Sequence, residues 1–379
     1  MAETNAQLEA FAIEVVKKLR ASSFEAYLVG GCVRDRILGR PCHDFDVTTN
    51  ALPKELREIF SRTVPVGEAF NVMLVLSEHE ENPFSVEVAT FRKDVGILDG
   101  RHPASVEMAN AKEDVLQRDF TINGMLYDPL SDEVVDWVGG QKDLQAKLIR
   151  SIGKADERIQ EDYLRMLRAI RFASRFRFDI DEELWRAICK FAPHIHKISK
   201  ERIFSELNMM LTEGQARLSF ERLDQCGLLK EIMPELLPMK GCAQPPEYHP
   251  EGDVWVHTLL LLEQLPPGAS LELSWGCLLH DIGKPPTFSH QPPDRIRFNG
   301  HAQVGAEMSE KILKIFKAPT QLIEVVSELV DQHLRFADVQ KMRPSTLKRF
   351  LRNPNFALHL EQHRIDCMPS HQNLEIYNF

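Results

Sequence analysis

Apolar and polar positions along the chain separate it into two regimes. The opening stretch "MAETNAQLEAFAIEVVKKL" spaces its apolar residues at helical intervals and predicts an amphipathic helix. Residues 24–29 (FEAYLV) form a short apolar run closed by Gly30-Gly31, a strand followed by a turn. "VRDRILGR" predicts a short helix stopping near Gly39, and "DFDVTT" a second strand rich in β-branched residues. A helix is expected over 52–60, then two strands in "NVMLVLSE" and "FSVEVATFR", then a loop from Lys93 to Pro103. "DFTINGMLYDP" and "EVVDWVGG" complete an α/β unit.

From Asp156 onward the spacing is helical almost throughout. Helices are expected over 156–175, 181–192, 201–212 and 215–226. Prolines then cluster over 233–253, reading as a linker or irregular crossover, and further helices follow over 254–265, 271–281, 301–316, 319–333 and 344–351. There is no internal repeat. The expected division is 1–150, a sheet-bearing unit; 151–236, a helical middle; and 237–379, a second helical domain.

A length of 379 residues calls for more than one core. Seven cysteines without a CxxC pair argue against a disulfide scaffold or zinc ribbon and for a reducing, cytoplasmic setting. The first residues, containing acids, do not read as a secretory signal, and no apolar run approaches the ~20 residues of a membrane span. The net charge of −10 on its face argues against a nucleic-acid partner, but binding depends on local patches. "YLRMLRAIRFASRFRF", residues 163–178, holds five arginines and no acid. On a helix it would place Arg168, Arg171 and Arg175 on one face.

"LVGGCVRDRILGRPCHDFDVTT" carries the first chemical signal. Strand residues i and i+2 share a face, so Asp44 and Asp46 would project together, about 7 Å apart at the backbone. Paired carboxylates repel unless a cation sits between them. Hard divalent ions such as Mg²⁺ take oxygen ligands and leave positions for water and phosphate. Gly30-Gly31 ahead of a helix offers backbone N–H groups to an anion.

These residues, in this order, resemble the signature of class II tRNA nucleotidyltransferases and the related bacterial poly(A) polymerases, of the DNA polymerase beta superfamily. Later segments continue the resemblance. "VEVATFRKD" with "DGRHP" is similar to the third acidic strand and flexible loop, and "QRDFTINGMLYDP" to the ribose-binding motif. "DWVGGQKDLQAKLIR" is similar to the hinge motif, "EDYLRMLRAIRFA" to the base-selecting helix, and "KERIFSEL" to a supporting helix. The ribose motif departs from the family pattern with Gln117 ahead of Arg118, and with Gly124 where alanine is usual.

The resemblance implies a polymerase-beta-like head of α+β class with a small mixed sheet, followed by an all-helical neck and body. It implies Mg²⁺ on Asp44 and Asp46, with Glu87 as a third acidic candidate. Gly30, Gly31, Arg34, Arg118, Asp119 and Asn123 are implied in nucleotide binding, Asp119 facing the sugar hydroxyls. Arg92 and Asp94 begin the flexible loop, and Arg168 and Arg171 are implied to hold triphosphate or tRNA backbone. Asp162 and Arg165 have a physical reading of their own. A carboxylate accepts hydrogen bonds and a guanidinium only donates them, which matches the pairing edges of C and A and opposes those of G and U. At i, i+3 on one helix the pair would share a face, and the resemblance assigns it base selection; Glu161 is expected to hold the arginine or the helix start.

A second cluster lies in the C-terminal part: His257, "LLHDIGK" with His280 and Asp281, "GHAQVGAE" with His301, "VDQHLRF" with His333, and "HRIDCMP" with Asp366. An adjacent His-Asp joined by a distant His and Asp can form a transition-metal site that activates water. The spacing resembles the HD phosphohydrolase superfamily, which implies His257, His280, Asp281 and Asp366 as ligands of a divalent transition metal, with His301 and His333 as further candidates. The expected activity is addition of CCA to tRNA from CTP and ATP. Three readings stay open: addition of the terminal A alone, poly(A) synthesis, and an HD phosphohydrolase with an RNA-binding N-terminal module.

Overall fold

A computed structural model describes residues 2–67, 71–78, 84–97, 103–247, 249–291 and 295–370. Helix α1 (Ala2–Ala21) leads into β1 (Ala26–Val29), α2 (Gly31–Ile37), β2 (Asp46–Thr49) and α3 (Pro53–Ile59). Proline at its first turn and the Glu55 carboxylate accepting from Leu52 N at 2.7 Å fix where α3 starts. Then come β3 (Thr63–Gly67), β4 (Val72–Leu76), β5 (Ser85–Thr90), β6 (Arg92–Ile97) and β7 (Pro103–Met108). Helix α4 (Ala111–Gln117) follows; Asn110 accepts from Glu113 N at 3.0 Å and Glu113 accepts from Asn110 N at 3.1 Å, a reciprocal cap. Strands β8 (Met125–Asp128) and β9 (Glu133–Asp136) and helix α5 (Gly140–Gln145) complete the head.

Seven strands form one sheet in the order β3-β4-β5-β2-β1-β8-β9. The β2–β5 pair is parallel, and every other neighbouring pair is antiparallel. Along β5 the alternation is strict: Val86, Val88 and Thr90 are buried, while Ser85 and Glu87 are exposed. Beside the sheet, Val29, Phe91, Ala111, Val115 and Leu126 form a buried cluster. The expected loop from Lys93 to Pro103 is instead a hairpin, with β6 and β7 paired antiparallel from Arg92↔Met108 to Ile97↔Pro103. Its β-branched residues Val95, Ile97 and Val106 favour strand over coil. Residues 98–102 of that expectation lie outside the described residues.

Strand β10 (Leu148–Ile149) pairs parallel with β11 (Asp179–Ile180). The helices from here on are α6 (Ala155–Glu161), α7 (Leu164–Phe176), α8 (Glu182–Phe191), α9 (Lys200–Thr212), α10 (Ala216–Gln225) and α11 (Leu228–Ile232). Then come α12 (Val254–Gln264), α13 (Leu271–Leu279), α14 (Lys284–Thr287), α15 (His301–Ile315), α16 (Thr320–Gln332), α17 (Pro344–Leu351) and α18 (Phe356–Ser370). The chain divides into two units, Met1–Arg165 with Phe178–Ala187, and Met166–Arg177 with Ile188–Phe379. Among the described residues no helix is long and apolar enough to cross a membrane.

The single helix expected over 156–175 is two helices. Asp162 sits between them in extended conformation (φ −150°, ψ 105°), and its Oδ1 accepts from Leu164 N at 3.0 Å. A short carboxylate that bonds nearby backbone competes with helix continuation and starts the next helix instead. Asp162 and Arg165 are therefore not an i, i+3 pair on one continuous helix.

Candidate active site and metal centre

Strand β2 begins at Asp46, and Asp44 precedes it on an exposed segment, so only one of the two aspartates belongs to the strand. Pairing of β2 ends at Val29↔Asp46, where β1 gives way to the Gly30 turn. On the other side of β2, Asp46 stands in register with Glu87 of β5. Residues in register on neighbouring strands point to the same face, so the two carboxylates lie side by side. Burial, then the charge of Glu87 and to a smaller degree that of Asp44, pushes the Asp46 carboxyl up to about 6, against the opposing pull of Arg118.

Arg118 supplies the cation. It ends α4, and its Nη2 lies 3.4 Å from Asp114 Oδ2. Gly30 stands beside both: a Cβ there would lie 3.4 Å from Arg118 Nη1 and 3.8 Å from Asp46 Oδ2, ordinary contact distances. Its φ of +79° is what selects glycine. Asp46, Glu87, Arg92, Asp114 and Arg118 line one cleft of about 270 Å³. An all-oxygen acidic cluster with one member held towards protonation is the donor set that a hard divalent cation discharges. Of Asp94, only the backbone pairing with Val106 lies within the description.

Arg34 sits elsewhere than the reading of it as a nucleotide contact expects. It is buried, donates to both Asp35 oxygens at 2.9 and 3.1 Å, and donates to Asn123 Oδ1 at 2.7 Å. Asn123 donates in turn to Asp119 Oδ1 at 3.1 Å. Arg34 thus acts on Asn123 and Asp119 by holding them, and Gly31 lies against its guanidinium, where a Cβ would stand 3.6 Å from Nη2. The glycine at 124 also has a local reason: a Cβ there would fall 2.6 Å from Ile152 Cδ1, so Ile152 fills the room an alanine would use.

Arg158, which the sequence reading passes over, ties the base-selection candidates to the cleft wall. Buried on α6, it donates through Nη2 to Gln117 O at 2.6 Å and Arg118 O at 2.8 Å, satisfying carbonyls at the end of α4. Its Nη1 pairs with Glu161, and Glu161 Oε2 also accepts from Arg165 Nη1 at 2.6 Å. Arg165 donates further to Arg158 O at 2.6 Å. Glu161 holds the arginine.

Arg168 and Arg171 belong to the other unit. Arg171 is 5% exposed; its Nε donates to Glu206 at 2.8 Å and its Nη1 lies 3.2 Å from Glu213. Arg168 lies 3.8 Å from Glu206 and Arg175 lies 3.3 Å from Glu213. The acids absent from 163–178 come from α9 and its C-terminal end, so the arginine face is largely internal pairing. Arg171 is thus committed inside the fold and not presented to phosphate, because taking a buried arginine from two carboxylates to meet a ligand would strand those charges.

In the second unit the histidine candidates converge. His257 Nε2 lies 2.9 Å from Asp366 Oδ1 and His280 Nε2 lies 3.2 Å from Asp281 Oδ2. His301 and His333 point their Nε2 atoms at Asp281 Oδ1, at 3.6 and 3.7 Å, and at each other at 3.3 Å. The Nδ1 atoms of His280, His301 and His333 lie 2.9, 2.7 and 2.6 Å from the carbonyls of Cys277, Phe298 and Val330. A ring that donates Nδ1–H to a carbonyl presents a bare lone pair at Nε2. Bare nitrogens 3.3 Å apart beside a buried carboxylate call for a cation between them. The N/O donor set fits a divalent transition metal, with Asp281 shared by two ligand groups.

Four residues around this centre, Gln244, His249, Glu251 and Lys284, are not among its sequence-predicted ligands. Lys284 Nζ lies 2.6 Å from Asp281 Oδ2 and donates to Gln244 Oε1 at 2.6 Å. Its signal was available, since it stands at i+3 from Asp281 in "HDIGK". Glu251 lies in the proline-rich crossover, where no periodicity marks it, and its Oε1 is 2.7 Å from His257 Nδ1 and 2.9 Å from His249 Nδ1. Although burial disfavours charge on His257, its hydrogen bonds to Asp366 and Glu251 win and hold its pKa up at about 9.

Comparison with known proteins gives these sites a context. Residues 26–150 match the poly A polymerase head domain, residues 177–240 the probable RNA and SrmB-binding site of polymerase A, and residues 253–355 the HD domain. The CCA-adding enzyme of Latilactobacillus sakei is 37% identical over 264 residues, 68% of this chain and 65% of that one. That of Enterococcus faecalis is 44% identical over 201 residues, 53% of this chain and 48% of that one. The chain thus spans about half to two thirds of the length of these curated relatives. Among solved structures, the Bacillus stearothermophilus CCA-adding enzyme in complex with CTP superposes with a TM-score of 0.66 at 26% identity, covering 94% of this chain and 75% of that one. A tRNA nucleotidyltransferase with primer tRNA and an incoming ATP analogue shares the fold, at a TM-score of 0.60, 21% identity, and 94% and 95% coverage. A head of this kind implies use of a divalent metal. The head domain, the RNA-binding segment, the HD domain and the CCA-adding relatives together show that the chain belongs to the family of tRNA nucleotidyltransferases and poly(A) polymerases, with an HD domain in its C-terminal part.

Proposed function

We propose that the protein adds CCA to tRNA 3′ ends from CTP and ATP without a template. The observation that carries this reading is the placement of Asp46 in register with Glu87, beside Arg118 and the Gly30 turn, in one cleft of a nucleotidyltransferase head. The RNA 3′-hydroxyl loses its proton, its oxygen bonds to the α-phosphorus, and the bond to the leaving pyrophosphate breaks. Bound Mg²⁺ would be held by Asp44, Asp46 and Glu87 and would supply charge neutralisation of the attacking and leaving oxygens. Arg118 sets a cation where triphosphate charge must rest, and the Arg34–Asn123 bond orients Asp119 towards a ribose hydroxyl. Arg165, fixed by Glu161, and Asp162 complement the pairing edges of C and A. Arg168 remains assigned to phosphate.

Names of the curated relatives support CCA addition, as does the CTP complex of the Bacillus stearothermophilus enzyme. The functional division is a head at 1–150, a neck and body at 151–236, and an HD-type domain at 237–379, which the matched segments 26–150, 177–240 and 253–355 support. Incubating a tRNA that lacks its three terminal residues with CTP alone tests the reading. Extension by two nucleotides supports it. No extension, with A added only to a CC-ending tRNA, overturns it in favour of an A-adding enzyme, and long tails from ATP favour a poly(A) polymerase.

The HD centre adds a second reading, a metal-dependent phosphohydrolase acting beside the transferase, carried by the convergence of His257, His280, Asp281, His301, His333 and Asp366. The metal there would supply an activated water. Lys284 offsets the charge of Asp281. Hydrolysis of a 2′,3′-cyclic nucleotide that requires added divalent metal and disappears in Asp281→Asn supports this reading; metal-independent hydrolysis, or none, overturns it.

A further inference from the structure

Between Arg335 and Arg352 the chain carries six basic residues, Arg335, Lys341, Arg343, Lys348, Arg349 and Arg352, against one acid, Asp338. The chain as a whole has a net charge of −10. All six are exposed. Among the described residues none of the six makes an ion pair. Arg158, Arg165, Arg171, Arg217, Lys240 and Lys284, by contrast, each meet a carboxylate. An acidic protein that leaves these cations unpaired is keeping a local positive field.

The field lines a groove. Arg335, Lys348, Arg349 and Arg352 surround it together with Asn353 and Asn355, enclosing about 910 Å³. Glu328, its one acid, is engaged by Asn353 and by Asn355 Nδ2 at 2.8 Å, so its charge is shared out to amides. The wall behind is rigid: buried Phe350 packs against Phe336 and Phe356 with ring centroids 5.1 and 5.4 Å away, and the Arg335 guanidinium lies 5.7 Å from the Phe350 ring centroid. Lys348 on α17 and Arg352, the αR residue that caps its C-terminus, stand at i, i+4, about 5–6 Å apart at Cβ, which presents a ladder of cations to a ladder of anions.

We propose that this groove on α17 is an RNA-binding surface that grips the sugar–phosphate backbone of a tRNA substrate. Phosphates answer the four cations, and the Asn353 and Asn355 side chains supply the neutral donors and acceptors that a ribose 2′-hydroxyl requires. A concave channel with amide groups on its floor favours a nucleic-acid strand over a flat anionic membrane. The inference rests on reading the protein as an enzyme of tRNA.

The test compares the full chain with Lys348→Glu/Arg349→Glu/Arg352→Glu, using fluorescently labelled tRNA and anisotropy over a range of KCl concentrations. Affinity of the variant should fall at least about tenfold near physiological salt, and the slope of log K against log salt should flatten by about two, three contacts at ~0.7 each. Lys348→Gln/Arg349→Gln/Arg352→Gln should change both in the same direction by less, and it decides the question if thermal melting shows the charge-reversed chain to be unfolded. Unchanged affinity and slope in a folded variant overturn the groove while leaving the transferase reading standing. A wild-type chain that binds no tRNA and extends none overturns that reading first. Loss of binding to phosphatidylglycerol vesicles with tRNA affinity intact overturns the proposal in favour of a membrane surface.

Discussion

Asp46 and Glu87 stand in register on parallel strands β2 and β5, two carboxylates on one face with nothing but a hydrogen-bonded ladder separating their backbones. Like charges so placed destabilise a sheet unless a cation discharges them. Removing either should therefore relieve the sheet and disable the chemistry. Asp46→Asn and Glu87→Gln are each expected to raise the metal-free melting temperature while lowering nucleotide incorporation, Asp46→Asn by about a thousandfold or more, some 4 kcal/mol of barrier. Single-turnover extension of tRNA and thermal melting in chelator give the two readouts. A variant that is both less stable and fully active would show that the pair plays no such part.

Arg165 owes its orientation to Glu161, which it meets at 2.6 Å, and through Arg158 that carboxylate is coupled to the carbonyls of Gln117 and Arg118. Charge-assisted bonds are about twice as strong as neutral ones, so Glu161→Gln should loosen the guanidinium without removing it. Discrimination of CTP over UTP, measured as the ratio of kcat/KM values, is expected to fall about tenfold, or 1.4 kcal/mol. Asp162→Ala should relax base choice further. Selectivity that survives both changes would place base recognition elsewhere.

Much of this site was legible because its residues follow one another in short motifs. The strands around Gly30 and Glu87 follow from β-branched and apolar runs, and the helices after Asp156 from their spacing. What escaped depends on partners distant in sequence. The Asp46–Glu87 register is set by how β2 and β5 pair, which no local pattern encodes. Arg171 looked unpaired because its acids lie 35 and 42 residues away. The break at Asp162 comes from one side-chain hydrogen bond, invisible to periodicity. Helix α18, bearing Asp366, was missed since its buried positions include His359 and Gln362, which blur the apolar stripe.

At the HD centre, the contact of Glu251 with His257 Nδ1 leaves Nε2, which faces Asp366 at 2.9 Å, as the nitrogen that would give up its proton to a metal. Glu251→Gln keeps the shape and loses the charge, and the metal affinity of the full chain is expected to drop about 10–100-fold. Calorimetric titration with Mn²⁺, together with the shift in melting temperature that Mn²⁺ produces, measures it without recourse to turnover. An unchanged affinity would reduce Glu251 to a scaffold for the proline-rich crossover.

His359 offers a pH test away from both proposed metal sites. It is 2% exposed, neither ring nitrogen has a hydrogen bond among the described residues, and Glu328 Oε1 is 3.6 Å from its Nε2. Burial lowers its pKa below the ordinary 6.5, more than the neighbouring Glu328 raises it. The unfolded chain therefore binds a proton that the native protein resists. This contribution to stability is complete above about pH 6.5 and is lost as the pH falls through the native value. Replacing the ring with a side chain that neither titrates nor needs partners, His359→Leu, should flatten that loss. Relative to the unaltered protein, the variant should gain about 1 kcal/mol on going from about pH 8 to about pH 5.5. Urea unfolding at the two pH values measures the difference, and parallel profiles would mean that the ring takes up its proton as readily in the native protein as in the unfolded chain.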